Sequence, residues 1–292
     1  MLYKVLKWTG IVVGSLALLL IIFYSVVYLK TEASINKVYD VKLQTLAIPD
    51  DSAAYAAGRH VAEIRGCLGC HGADLATGEV FADENSPIGI LQASNITRGK
   101  GGIQYTDQDW IRALRHGLGK DNKPLWFMPS HEICGVSNQD MAALISYVKK
   151  QPPVDKMVPQ KSLKPLGRVL TFMGEFPLLA AEKIDHNATY PDDVKLAVNA
   201  DYGKYLAVTC TGCHSASYKG APSHSPEQPP IPDISSTGHL GKWTQADFVN
   251  VFRTGKTPEG RVLSKYMPIK DFTYSDDELK AIYLYLHGVK GS

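Results

Sequence analysis

Cysteine is scarce in this chain, with five in 292 residues. Four of the five fall in two matching stretches, "CLGCH" at 67–71 and "CTGCH" at 210–214, and only Cys134 stands outside them. An excess of charge of one sign is also missing: 31 Lys+Arg face 29 Asp+Glu, a net of +2. That balance argues against a nucleic-acid binder, which would show a strongly basic patch. No long run of like charge occurs, so no disordered charged tail is implied. Runs that alternate apolar and polar residues, the mark of half-buried strands, are lacking as well. The fold class read from this is all-α, with long loops between short helices.

Long apolar runs are absent with one exception. Residues Trp8 to Leu29, "WTGIVVGSLALLLIIFYSVVYL", carry no charge. A helix of that length crosses about 30 Å of hydrocarbon. Lys4 and Lys7 precede it, which by the positive-inside bias puts the N-terminus in the cytoplasm. Trp8 stands at one end of the run and Tyr24 and Tyr28 towards the other, as at two membrane interfaces. The alternative is a cleaved signal peptide, but the run is long for that and no A-x-A site closes it. The expectation is a single-pass anchor in the cytoplasmic membrane, with Lys30 to Ser292 on the periplasmic side.

The rest reads as one unit used twice. "TDQDWIRALRHG" (106–117) matches "TQADFVNVFRTG" (244–255), and "MPSHEICGVSNQDMAALISYVKK" (128–150) matches "MPIKDFTYSDDELKAIYLYLHGV" (267–289). The offsets are 138 and 139, against 143 for the Cys-x-x-Cys-His pair. Thr106 with Asp109, Ser137 with Asp140, Thr244 with Asp247 and Ser275 with Glu278 have capping-box spacing at helix starts. Met141, Leu144, Ile145 and Val148 then recur at helical spacing, as do Leu279, Ile282, Tyr283 and Leu286. Shorter helical stretches lead into each motif at 53–66 and 201–209. The expected division is an anchor over 1–30, a linker over 31–50, a first domain over 51–153, an inter-domain linker over 154–199 and a second domain over 200–292. The middle of the second linker, Val169 to Ile184, is apolar enough to pack. It is expected to clamp the two domains.

Three chemistries use two cysteines two residues apart: a dithiol redox centre, half a zinc site, and thioether attachment of haem. A zinc site needs further ligands, and the second copy has no spare cysteine. A dithiol centre belongs in a βαβ setting, which is missing here. The histidine directly after the second cysteine favours haem, because it is then placed under the iron. The cofactors expected are two covalently bound haem c groups. Cys67 and Cys70 would bind the first, Cys210 and Cys213 the second, with His71 and His214 as iron ligands. A sixth ligand of soft sulfur raises the potential. Met128 and Met267 each precede proline and a capped helix, and follow the motif histidine by 57 and 53 positions, so they are the candidates. Met141, Met157 and Met173 are read as core filler.

These motifs resemble class I cytochrome c domains in tandem. Residues 50–292 are more closely similar to membrane-anchored multihaem c-type cytochromes serving periplasmic alcohol, aldehyde and gluconate dehydrogenases. The resemblance rests on "CLGCHG", "SNITRGKGGIQYTDQDWIRALRHGLG" and "LWFMPSHEICGVSNQDMAALISYVKKQPPV" with their second-copy counterparts. It implies a single-electron relay between a dehydrogenase or quinol-oxidising complex and a terminal acceptor, in a respiratory assembly. Some members carry three haems, whereas this chain has two motifs. The resemblance further implies a first-on-last helix crossing near Gly58 and Tyr147, and near Gly203 and Tyr285. It also implies a loop proline carbonyl bonded to the proximal histidine, for which Pro87 is the candidate in the first copy.

Two other functions stay open: a dihaem enzyme such as a peroxidase or thiosulfate dehydrogenase, and a haem-bearing structural subunit. Cys134 is read as a small buried residue or an alternative sixth ligand, and His131 as a competitor. Arg115 and Arg253 are read as propionate partners or solvated residues, and His116 as a helix-end residue. His186, His224 and His239 are read as surface or loop residues.

Overall fold

The computed structural model describes residues 1–223 and 228–289, so His224 lies outside the described residues. Helix α1, Leu2–Ile35, buries only Val27, Thr31 and Ile35, one stripe at its C-terminal end. It is long and apolar enough to cross a membrane, with a mean hydropathy of 2.6 over its most apolar stretch. The extended segment that follows lies on the rest of the chain: Tyr39 is buried and its N–H donates to Asn122 O at 3.0 Å.

Helix α2, Ser52–Ile64, starts where Asp51 accepts from the Ala54 N–H. Helix α3, Cys67–His71, follows after Gly66 turns the chain in the left-handed region, φ 73°. Strands β1, Val80–Ala82, and β2, Gly89–Gln92, form a short antiparallel pair. Helices α4, Asp107–His116, α5, Ser130–Ile133, and α6, Asn138–Lys149, complete the first half. Strand β3, Ser162–Leu163, pairs with β2, and helix α7, Pro165–Met173, packs beside α1. The second half repeats the helical order with α8, Ala200–Ala207, α9, Thr211–His214, α10, Gln245–Thr254, and α11, Asp276–Gly288. The chain is thus mostly helical, and the small sheet is the departure from an all-α reading. Its strands are two to four residues long, too short to leave an alternating pattern.

Each half is centred on a helix crossing. A Cβ on Gly58 would lie 1.9 Å from Ala143 O and 2.8 Å from Tyr147 Cβ, and one on Gly203 would lie 1.9 Å from Ala281 O and 3.0 Å from Tyr285 Cβ. Only a missing side chain lets α2 approach α6, and α8 approach α11, this closely. Val61, Ile111, Met141, Leu144 and Ile145 fill the first core; Leu206, Phe248, Leu279, Ile282 and Leu286 fill the second. Met141 is core filler as expected. Met157 and Met173 are not, being 67% and 61% exposed.

Three of the four expected capping boxes are complete, at Thr106, Thr244 and Ser275. The fourth is half-formed. Ser137 accepts from the Asp140 N–H at 3.0 Å, but the Asp140 carboxylate accepts from the Tyr205 hydroxyl of α8. The Ser137 N–H in turn donates to that hydroxyl oxygen at 3.0 Å. The box is opened to make a contact between the halves.

That contact is one of several made directly rather than through the 154–199 segment. Ile64 O accepts from Thr209 Oγ1 at 3.1 Å and from the Tyr274 hydroxyl at 3.0 Å. Buried Arg65 donates to Tyr205 O at 2.9 Å. His60 Nε2 meets Glu278 Oε1 at 2.7 Å, and Thr273 donates to Glu63 at 2.6 Å. The expected linker clamp is therefore corrected. Residues 154–199 wrap the first core: Val154 O and Lys156 O accept from Asn95, Leu178 and Leu179 join Ile35 and Leu91 in an apolar cluster, and Pro191 O accepts from the Asn138 N–H.

These contacts can be tested in two ways. Gly58→Ala and Gly203→Ala each force backbone apart and are expected to cost at least about 2 kcal/mol, whereas Gly135→Ala, with nothing within 4 Å of the added Cβ, stays near neutral. Urea unfolding followed by circular dichroism measures all three. The hydrogen bond to Glu278 raises the His60 pKa above its ordinary 6.5. Burial opposes ionisation of Glu278, yet the bond and charge of His60 together with the bonds from Ser275 outweigh it and hold that carboxyl below its usual range. A raised histidine pKa contributes stability that is full below pH 6.5 and lost as pH rises through the folded-state value. The stability gap between the native chain and His60→Gln should be widest below pH 6.5 and close above it. Urea titrations at stepped pH check this.

Candidate functional site

In α3 the two cysteines lie one helical turn apart, with His71 next along the chain. Cys67 is half-buried, and burial pushes its thiol up to about 12; Cys210, its counterpart, is likewise pushed up to about 12. None of the five cysteines forms a disulfide, so the motif sulfurs are unpaired on cavity walls. His71 is buried and its Nδ1 bonds Ser94 O at 2.8 Å; His214 is buried and its Nδ1 bonds Pro232 O at 2.8 Å. A carbonyl can only accept, so Nδ1 carries the proton and Nε2 keeps its lone pair. Burial pushes both imidazoles below their ordinary pKa, in favour of the neutral form.

The acceptor in the first half is thus Ser94, not Pro87. Pro87 sits exposed in the β1–β2 turn, at the far end of β2 from the residues that reach α3. The chain after β2 is drawn against α3 because Gly78 lets Ala93 approach: a Cβ there would lie 2.3 Å from Ala93 O. In the second half the carbonyl is a proline's, as the resemblance implies.

Two cavities accompany these motifs. The first, about 610 Å³, is lined by Cys67, Cys70, His71 and Met128, with Trp110 and Phe127 among its apolar walls. The second, about 350 Å³, is lined by Cys210, Cys213, His214 and Met267, with Trp243 and Phe252. Both lie in the range of about 300–1,000 Å³ typical of cofactor sites, and both are chiefly apolar. Unpaired thiols, an oriented neutral imidazole and a thioether on one apolar cavity make a donor set that fits haem c twice over. All eight residues singled out in the sequence line these two cavities, four in each.

The other candidates sort differently. His131 lines the first cavity, and its buried Nδ1 has no partner. Cys134 lines neither; its Sγ is 3.5 Å from His131 O. Arg115 is neither a propionate partner nor solvated: it is fully buried, donates to Cys134 O, to Val136 O at 2.6 Å and to Ser137 O at 3.2 Å, and stacks 3.9 Å over Tyr190. Arg253 donates to Tyr274 O at 2.7 Å and pairs with Asp276 at 2.7 Å. Each arginine ends its helix by tying down the segment between the Met-Pro pair and the last helix. Neither lines either of these two cavities. His116 is the last residue of α4, as read, and is buried with its Nδ1 3.1 Å from that of His186, which lies half-buried in a turn; burial, with His186 beside it, pushes His116 down to about 4. His239 is exposed, and it borders the second cavity.

Sequence reasoning missed Glu132 and Ser94. Glu132 lines the first cavity, and a Cβ on Gly212 of the second motif would stand 3.0 Å from its Oε1. Burial pushes its carboxyl up to about 7 against the nearby charge of Lys183. Thr211 and Gly212 also line the first cavity, so the second motif borders the first site. No local pattern signals either residue, because each contact joins distant parts of the chain.

The cytochrome c family model matches residues 200–290. The chain is 27% identical over 263 residues to the fructose dehydrogenase cytochrome subunit of Gluconobacter japonicus, covering 80% of this chain and 52% of that protein. It is 26% identical over 275 residues to the cytochrome c subunit of the alcohol dehydrogenase (quinone) of Gluconobacter oxydans, covering 81% and 55%. A nicotinate dehydrogenase subunit of Pseudomonas putida is 25% identical over 264 residues, covering 80% and 21%. The chain spans about half the length of the first two of these relatives, 52% and 55%. Residues 200–290 are accordingly a cytochrome c domain, which carries covalently bound haem c, in a chain homologous to the cytochrome c subunits of dehydrogenases.

Proposed function

We propose that this protein is a membrane-anchored dihaem c-type cytochrome. It relays single electrons from a dehydrogenase or quinol-oxidising complex towards a terminal acceptor, on the periplasmic side of the cytoplasmic membrane. The observation that carries the reading is the repeated cavity. Each one gathers a Cys-x-x-Cys-His and a Met-Pro methionine around one apolar cavity. The repeated Gly58 and Gly203 crossings support two cytochrome c domains in tandem, over 51–153 and 200–292. Helix α1, exposed along its apolar stretch, supports the anchor.

Bound haem supplies a one-electron ferric–ferrous couple at each site. Around it the chain's residues orient and exclude. Ser94 O and Pro232 O hold the imidazoles of His71 and His214 with Nε2 free to ligate. Met128 and Met267 would hold the group through thioether sulfur, which would favour the reduced state and a high potential. Trp110 and Trp243 keep the surroundings apolar. With His71 and Met128, and His214 and Met267, holding the two groups, bond chemistry would fall to the partner enzyme. Homology to dehydrogenase subunits makes a dehydrogenase the expected partner.

A second reading, a dihaem redox enzyme, is favoured by one observation. His131 shares the first cavity with Met128 and has an unpartnered Nδ1.

Haem content and ligation test both readings. The purified chain should contain two haems by pyridine haemochrome assay, and one after Cys67→Ala/Cys70→Ala or Cys210→Ala/Cys213→Ala. An unchanged haem count in the first-motif variant would remove the tandem reading. Potentiometric titration should give two high-potential one-electron steps, and carbon monoxide should not bind the reduced protein. Carbon monoxide binding at one haem, or one much lower potential, would replace the relay with the enzyme reading.

A further inference from the structure

Helix α7 has an apolar face that nothing among the described residues covers, and its position indicates what does. Three contacts fix α7 against α1. The Phe172 ring meets the Phe23 ring edge-on, with centroids 6.4 Å apart. Arg168 pairs with Glu32 at 2.9 Å, and its guanidinium lies 4.4 Å over the Tyr28 ring. α7 therefore lies alongside α1 from Phe23 to Glu32. Phe23 is six residues inside the end of the uncharged run at Leu29, a depth of about 9 Å at 1.5 Å per residue. The C-terminal end of α7 thus reaches the level of residues that stand inside the apolar span.

The faces of α7 follow from 100° per residue. Gly167 is buried, and a Cβ on it would lie 2.1 Å from Ile88 O, so its side faces the β2–β3 pair. Arg168 and Phe172 face α1. Leu166, Val169 and Met173, at i, i+3 and i+7, make up the remaining face. Leu166 is 45% exposed, Met173 61% and Phe172 45%. No charged or polar residue interrupts that face. Lys164 precedes the helix and Glu175 follows it, and the aliphatic stem of Arg168 can run along apolar surface with its charge towards the interface.

We infer that α7 is a membrane-surface helix, its Leu166–Val169–Met173 face seated among phospholipid at the headgroup–acyl boundary beside the exit of α1. This rests on the reading of α1 as a membrane span. The helix is short, and its apolar face is an addition to the anchor rather than a substitute for it. Its effect is orientation. The inner side of α7 is bound to the β2–β3 pair, and the chain leaving it carries Phe176, which stacks on Phe127 in the wall of the first cavity at 5.2 Å. A second attachment to the membrane would hold the first cavity at a set height and angle above the bilayer.

The test uses the full-length haem-loaded chain in phosphatidylcholine–phosphatidylglycerol nanodiscs with a phospholipid carrying a diazirine in its tail. Light couples the lipid to residues it touches, and peptide mass spectrometry locates the adducts. Adducts are expected in 8–29 and also in 165–173. In Leu166→Glu/Met173→Glu the yield in 165–173 should fall at least about tenfold while that in 8–29 is kept, since charge drives the face out of the boundary. Both side chains are exposed, so an unchanged haem absorption spectrum verifies the variant's fold. Adducts in 8–29 but none in 165–173, or a 165–173 yield indifferent to the two glutamates, would overturn the inference and leave the span intact. An absence of adducts in 8–29 would overturn the span, and the inference with it.

Discussion

Two glycine contacts govern the placement of every candidate ligand. Gly58 and Gly203 each allow a leading helix to lie directly on the backbone of a closing helix, within 1.9 Å of where a Cβ would meet a carbonyl oxygen. The leading helix delivers Cys-x-x-Cys-His at its end. The closing helix follows the Met-Pro pair in the chain. Locking one helix on the other therefore sets histidine and methionine on a shared cavity, although more than fifty residues separate them in each half. Arg115 and Arg253 fasten the intervening segment to the preceding helix through its carbonyl oxygens. The rigidity that a low-reorganisation redox site needs is supplied by backbone packing and backbone acceptors, not by the cavity walls alone.

The two halves meet without an intermediary. Ile64, on α2, is buried in the second core, and its carbonyl takes two hydrogen bonds from the second half. Arg65 beside it donates back to Tyr205 O. These two residues immediately precede the first motif, and Thr209 and Cys210 lie opposite. The consequence is that the second motif contributes Thr211 and Gly212 to the wall of the first cavity. The second motif is thus set beside the first cavity by the same contacts that join the cores. Glu132 stands at that junction, half-buried and held towards its neutral form by burial.

Much of the candidate site was legible in the chain because its chemistry is local. Two cysteines and a histidine in five residues report their task wherever they occur, and a repeated Met-Pro before a capped helix marks its own place by recurrence. The acceptor for His71 was not legible. Pro87 was the analogue of a family feature, while the carbonyl that answers is Ser94, brought there by the close approach of Gly78 to Ala93. Any residue has a carbonyl, so side-chain identity carries no signal for that role. The same holds for Arg115: a buried guanidinium that donates to three backbone oxygens looks, in sequence, like an arginine on a helix face.

The sequence by itself determined the helical punctuation, the repeat, the apolar N-terminal run and the two Cys-x-x-Cys-His motifs. Each of these is written in residues a few positions apart, where backbone geometry alone decides which side chains share a face. Only the tertiary structure decided that residues 154–199 wrap the first core instead of clamping two domains. It also decided that Asp140 leaves its own cap for Tyr205, that His116 and His186 pair in the interior, and that α7 lies beside α1. Those arrangements depend on which apolar surfaces find each other and on which polar groups are then left to be satisfied, and both are settled only when distant segments pack.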